Sequence, residues 1–78
     1  MIKHGLDFRD VPYVFEQETY TDIDDRYDYR ELRYFTLGIF RGIIVAISHT
    51  EANDFIRVIS FRKAEKHEQE LYFTSIRD

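Results

Sequence analysis

Apolar and polar positions alternate over most of the second half of this chain, and the places where the alternation breaks mark its elements. Leu32 to Phe40 alternates as a strand, Arg41-Gly42 interrupts it, and Ile43 to Thr50 resumes as a strongly apolar strand. Glu51 to Asp54, containing Asn53-Asp54, reads as a hairpin turn, and Phe55 to Phe61 as the returning strand. In that strand Ile56, Val58 and Ser60 are expected on one face, and Arg57, Ile59 and Phe61 on the other. At Arg62-Lys63-Ala64 the pattern changes to a charged, helix-favouring run without Gly or Pro, which predicts a helix from about Ala64 to Phe73. Upstream, Asp7 reads as an N-cap with Asp10 three residues on, opening a short helix through about Gln17 whose apolar stripe is Val11, Val14 and Phe15. Pro12 sits late in its first turn and is expected to kink or shorten it. Thr19 to Ile23 is β-prone and fits a short edge strand, followed by a polar turn over Asp24 to Tyr29. The order helix, small strand, three-strand meander, helix predicts an α+β fold. It has an antiparallel sheet of three to four strands, an N-terminal helix and a C-terminal helix.

Seventy-eight residues make one small domain, and a chain of this size buries only roughly 60–65% of its unfolded surface. Seven Phe and six Tyr partly offset that, since each aromatic buries a large apolar area. There is no cysteine, which excludes disulfide staples and thiolate metal sites and suits a cytoplasmic protein. No signal-peptide pattern or membrane-spanning apolar run is present, so no membrane association is expected.

The net charge of −4 argues against non-specific coating of nucleic acid, which needs a broad basic surface. The charge is nevertheless unevenly spread. Residues 56–67 hold four cations and one acid, whereas Glu16 to Asp25 hold five acids and no cation. The acidic stretch reads either as a solvated loop and strand edge or as a rim that attracts a basic partner and repels RNA.

Arg57, Arg62 and Lys63 gather at the junction of strand and helix, the kind of collection that binds a phosphate. Arg57 either snorkels from an apolar face or holds an anion in a forked contact, and Lys63 points opposite to Arg62 if the strand continues. Glu68 and Tyr72 share a helix face. Glu68 reads either as a proton acceptor or as a structural ion pair to Arg62, and His67 as a solvent-exposed helix residue. His4 and His49 titrate near neutrality, as general acid–base work requires, and His49 falls close to where Arg57 pairs across the hairpin. The three histidines, at 4, 49 and 67, lack metal-ligand spacing, so neither a metal nor another cofactor is expected. Tyr13, Tyr20, Tyr27, Tyr29 and Tyr34 are either base-stacking residues or the core and rim of a small sheet. There is no phosphate-cradling Gly loop, nucleophilic serine motif or dinucleotide fingerprint.

Arg57, Ile59, Ser60, Arg62, Lys63, Ala64, Glu68 and Tyr72 keep the order and spacing of a stretch close to R-I-I-S-A-R-K-A-x-x-x-E-x-x-x-Y. Lys3-His4-Gly5 with Phe8 fits K-H-G-x-x-F, Glu31, Arg33 and Gly38 fit E-x-R-x-x-x-x-G, and His49-Thr50 ends the middle strand. Over nearly its whole length the chain thus resembles the BrnT toxins, small ribonucleases of type II toxin–antitoxin pairs with a RelE-like fold. The family usually carries some fifteen to twenty residues before K-H-G, an opening strand and most of a helix, whereas this sequence begins at Met1-Ile2.

The resemblance implies a metal-independent endoribonuclease in which a base helps a ribose 2′-hydroxyl attack the adjacent phosphodiester. Cations stabilise the phosphorane-like transition state, and an acid protonates the leaving oxygen. Arg57, Arg62 and Lys63 then fall to the phosphate, His49, Glu68 and His4 compete for proton transfer, and Tyr72 orients. A cognate antitoxin is the implied partner and RNA the implied substrate. A second expectation is a non-catalytic interaction module that keeps only the partner surface; a general RNA-binding domain is disfavoured by the acidic balance. Without the usual opening elements, the apolar face under Ile43 to Ile47 and Phe55 to Phe61 predicts self-association as a two-fold dimer, or dependence on the antitoxin; the alternative is a compact monomer in which the Asp7–Gln17 helix covers that face.

Overall fold

The computed structural model describes residues 6–24, 31–52 and 54–77. A four-stranded antiparallel meander forms its centre: β1 (Tyr20–Ile23), β2 (Tyr34–Phe40), β3 (Ile43–Ala52) and β4 (Phe55–Lys63), in that spatial order. Helix α1 (Val11–Phe15) covers one face of the sheet and α2 (Lys66–Ile76) the other. This is the α+β arrangement that the alternation predicts. His4 and the K-H-G segment, Tyr27, Tyr29 and most of the Asp24–Tyr29 turn lie outside the described residues.

The N-terminal helix is in two pieces, and Pro12 explains the break. Asp7 caps a single 3₁₀ turn, Phe8–Asp10, accepting from the Arg9 amide at 2.9 Å. The Val11 amide returns to the Phe8 carbonyl, and Pro12, lacking an N–H, falls in the first turn of α1, where no intrahelical donor is needed. Val11 and Val14 are buried as expected, and with Leu6, Phe40, Val45, Ile47 and Phe61 they make the core on this face. Gly38 in β2 permits the close approach: a Cβ there would stand 2.6 Å from Val14 Cγ1.

Between β2 and β3, Arg41 (φ 53°) and Gly42 (φ 82°) both take left-handed backbone, the requirement of a two-residue type I′ hairpin turn. The β3–β4 strands run further than the sequence pattern predicts, pairing out to Ala52 and Phe55, and Asp54 takes left-handed backbone at φ 69°.

The register of β3 on β4 corrects the expected faces of β4. Ser48 pairs with Ser60 but His49 pairs with Val58, so Ile59 is an extra residue in a β-bulge. The bulge moves everything before it to the opposite face from simple alternation. Val58 packs with Phe61 on the α1 side, whereas Arg57, paired with Thr50, shares the α2 side with Ser60 and Arg62. Arg57 is therefore not beside Phe61, as alternation alone predicts.

Helix α2 starts two residues later than expected. Glu65 is its N-cap in a reciprocal capping box with Glu68, and the Ala64 amide still bonds to β3 at the Ile44 carbonyl, 2.9 Å away. Tyr72, Leu37, Ile44, Ala46 and Ala64 form the second core.

Candidate functional site

On the α2 side the sheet presents its residues in rows that cross all four strands. Tyr20, Leu37, Ala46 and Arg62 form one row, and Asp22, Phe35, Ser48 and Ser60 the next. Beyond them the Asp24 amide bonds to the Arg33 carbonyl at 2.8 Å, and Thr50 pairs with Arg57. The first turn of α2 overhangs these rows and leaves a half-open cavity of about 170 Å³. Its walls are apolar at Ile23, Phe35 and Leu71, and charged or polar at Asp24, Arg62 and His67, with Ser48 and Glu68 also exposed to it.

Arg62 is the cation of this cavity. Its Nη1 and Nη2 donate to the two carboxylate oxygens of Glu68 at 2.7 and 2.9 Å, and Nη1 also reaches the Lys63 carbonyl at 3.3 Å. The Arg62 side chain is 42% exposed. Glu68 additionally accepts from the Glu65 amide at 2.8 Å. The bidentate contact with Arg62 holds the Glu68 carboxyl below its ordinary range against the opposing effect of burial. A carboxylate clamped in this way is a poor proton acceptor near neutrality; Glu68 positions Arg62 and starts the helix. His67 is exposed at the cavity rim, its Nε2 3.8 Å from Glu65 Oε1.

Arg57 lies further along β4 on the same side, ion-paired with Glu31 at the surface. At ~3.3 Å per residue, the two arginines stand roughly 13–17 Å apart along the strand, a separation suited to different phosphates of one chain. Lys63, as the alternation predicts, faces away from Arg62 and is exposed, paired with Val45.

Tyr72 is buried and donates its hydroxyl to the Glu18 carbonyl at 2.9 Å, tying α2 to the approach of β1; burial raises its pKa. His49 is also fully buried, but on the α1 side. Its Nε2 is 2.7 Å from Thr36 Oγ1, which is 2.7 Å from Thr21 Oγ1, and its ring stacks on Tyr34 and meets the edge of Phe15. Glu51 Oε2 stands 3.4 Å from Nδ1 without hydrogen-bond geometry. Burial lowers the histidine's pKa. His49 and Arg57 are thus neighbours in register with side chains on opposite faces, and the sheet separates His49 from the cavity.

Donor atoms of Glu65, His67 and Glu68 lie within 4.8 Å of one another, a group that could in principle hold a cation. Both Glu68 oxygens already accept from Arg62, so a cation would have to compete with that ion pair. Asp24 and Ser48 carry no chemical signal in the sequence. Alternation of Tyr20, Asp22 and Asp24 along β1 could have grouped Asp24 with the α2 face, but only the strand register brings it to the cavity that Arg62 also lines.

The fold is an antiparallel α+β domain with a half-open cleft that carries an oriented arginine. More particularly, the chain belongs to the BrnT family: the model of the ribonuclease toxin BrnT of type II toxin–antitoxin systems matches residues 1–68. Comparison with curated proteins gave no match, nor did comparison with solved structures. Membership implies an antitoxin partner and an RNA target. No helix among the described residues is long and apolar enough to cross a membrane.

Proposed function

We propose that this protein is a metal-independent endoribonuclease whose reaction takes place in the cleft between the sheet and the first turn of α2. The observation that carries the reading is the pairing of an oriented, partly exposed Arg62 with an imidazole, His67, on one cavity. In this mechanism Arg62 binds the non-bridging oxygens of the scissile phosphate and stabilises charge gathering there. The His67 imidazole takes the proton of the 2′-hydroxyl as O2′ bonds to phosphorus. The bond from phosphorus to the 5′-oxygen breaks, and that oxygen receives a proton, leaving 2′,3′-cyclic phosphate and 5′-hydroxyl ends. Of the three groups that the sequence offers for proton transfer, His49 is sealed off, Glu68 is clamped and His4 lies outside the described residues; His67, which the sequence marks only as an exposed helix residue, takes the role, with His4 as second candidate. Arg57 takes a neighbouring phosphate, and Lys63 adds only to the field. The test is cleavage of a mixed-sequence RNA in excess EDTA. Persistent activity with cyclic phosphate ends is expected, and activity lost on chelation and restored by Mg²⁺ or Mn²⁺ overturns the mechanism.

A second reading, an interaction module without cleavage, is favoured by one feature. Phe8, Val11, Pro12, Phe15, Ile56 and Val58 line an open apolar groove on the α1 side, where Phe8 and Ile56 are exposed. Antitoxin binding with no cleavage of any RNA selects this reading. Sedimentation equilibrium at micromolar concentration tests whether the same face drives dimer formation.

A further inference from the structure

We infer that the cavity at the α2 face is a base-recognition pocket that selects guanine, and that Asp24 is the residue that specifies it. The inference rests on the ribonuclease reading for its biological meaning, but its chemistry follows from the cavity. The volume of about 170 Å³ is well below the ~300–1,000 Å³ of clefts that hold drug-sized ligands. It is close to the ~150 Å³ of an apolar cavity that accepts benzene, so the space suits one flat ring system. Phe35 and Leu71 supply apolar walls on which such a ring lies, and Arg62 stands at the rim where the attached phosphate emerges.

Asp24 supplies the discrimination. It ends the run Tyr20, Asp22, Asp24 on the α2 side of β1, its amide fixed to the Arg33 carbonyl at 2.8 Å, and it is only 6% exposed while lining the cavity. An ionised carboxylate accepts hydrogen bonds and donates none, through two oxygens in one plane. Among the four bases, guanine alone presents two adjacent donors, N1–H and the N2 amino group, on its pairing edge. Adenine and cytosine each put an acceptor next to their single amino group, and uracil flanks one N–H with two carbonyls. Each of these three sets a lone pair against the carboxylate of a largely buried Asp24, and an unmatched polar edge there is disfavoured. Other bonds that Asp24 makes within the protein are compatible with this role, because a carboxylate has about four acceptor positions.

The experiment is binding of the four nucleoside 3′-monophosphates to the intact 78-residue protein, followed by chemical-shift titration. Guanosine 3′-monophosphate should bind at least ten-fold more tightly than the other three, with the largest shifts at Phe35, Ser48 and Leu71. Inosine 3′-monophosphate, which lacks only the N2 amino group, should bind about ten-fold more weakly than the guanosine ligand; this arm leaves the protein untouched. Asp24→Asn should bring guanosine 3′-monophosphate to the level of the others while the phosphate-driven affinity remains. Equal affinities for all four nucleotides, no binding, or inosine binding as well as guanosine overturns the proposal. Guanine-selective binding by a protein that cleaves no RNA supports the pocket and instead refutes the ribonuclease reading.

Discussion

The two faces of the sheet each hold a histidine and a carboxylate, and they differ in what surrounds them. On the α1 face His49 is fully buried, stacked on Tyr34, bonded to Thr36, and near Glu51. On the α2 face His67 is exposed beside Arg62 and Glu68 at the mouth of a cavity. Burial lowers the pKa of the first and removes it from any substrate. The contrast teaches that a titratable group on a small sheet becomes a packing element or a reactive one according to its face. Regular alternation along β3 puts His49 on the α1 face, and its place in the first turn of α2 puts His67 on the other.

The sharpest way to break this contrast is to remove the open side. His67→Ala should lower RNA cleavage by about 10²–10⁴-fold. Arg62→Ala should lower it by about 10²–10³-fold, while the thermal melt of either variant moves little because both side chains reach solvent. Arg62→Lys keeps the charge but not the fork, and should recover only part of the loss. If both alanine variants cleave like the parent, the site belongs elsewhere.

The sealed side should answer with stability instead. His49→Ala leaves a cavity and removes one of the two partners of the Thr36 hydroxyl, and should destabilise by about 2–4 kcal/mol in chemical denaturation. Cleavage per folded molecule should stay within a factor of two or so, given the group's isolation from the cavity. A variant that melts normally but no longer cleaves would make His49 catalytic and invert the comparison.

Gly38→Ala tests the packing of α1 on the same face. The added methyl meets Val14, which is wholly buried, so a loss of about 1–3 kcal/mol is expected. The α2-side cavity should still bind nucleotides normally.

The faces should also separate by pH. His49 is held neutral in the fold, so its contribution is fully present above its unfolded value of 6.5 and is lost as pH falls from there through its lowered folded value. Glu68 is held ionised, so its contribution is present above 4.5 and disappears as pH falls through its lowered folded value. Melting temperatures should therefore fall in two stages. His49→Gln should remove the upper one and leave the lower, and a single stage near pH 4 in the parent counts against the buried histidine.

The smallest effect concerns the β2–β3 turn, which both faces share. Arg41 takes left-handed backbone at φ 53° with only a ring contact to Phe40 in return, 4.9 Å from its guanidinium to the centroid. Arg41→Asn creates the favoured Asn-Gly pair and should stabilise by ~0.5–1 kcal/mol with cleavage unchanged.

Much of this molecule was legible in the sequence. Alternation located all four strands, the charged run after Phe61 located α2, and the Asp7 cap and the Val11, Val14 and Phe15 stripe located the first helix. The cationic junction was legible in part. Arg62 stands at the cavity, but Glu68 proved to be its clamp, and Tyr72 is occupied by a carbonyl fifty-four residues away. A bulge carries no residue-type signal, because it depends on how two strands align, so the face of Arg57 could not be read from β4 alone. For the same reason the burial of His49 was hidden: a histidine ending an apolar strand looks alike whether the next layer covers it or not. Asp24 was hidden because it shares a cavity with Arg62 only through the pairing of four strands.

The bulge at Ile59 also bears on how relatives of this chain can be recognised. A homologue whose β4 paired without this bulge would still spell the whole Arg57-to-Tyr72 signature, and a motif search would score it as intact. Its β4 would nevertheless turn Arg57 toward the α1 layer, and the surface would keep one guanidinium where this protein has two. Spacing within that signature thus carries information that residue identity does not. The odd spacing of Arg57 and Arg62 requires a bulge between them to hold both on one face, whereas a relative one residue shorter there holds both by plain alternation.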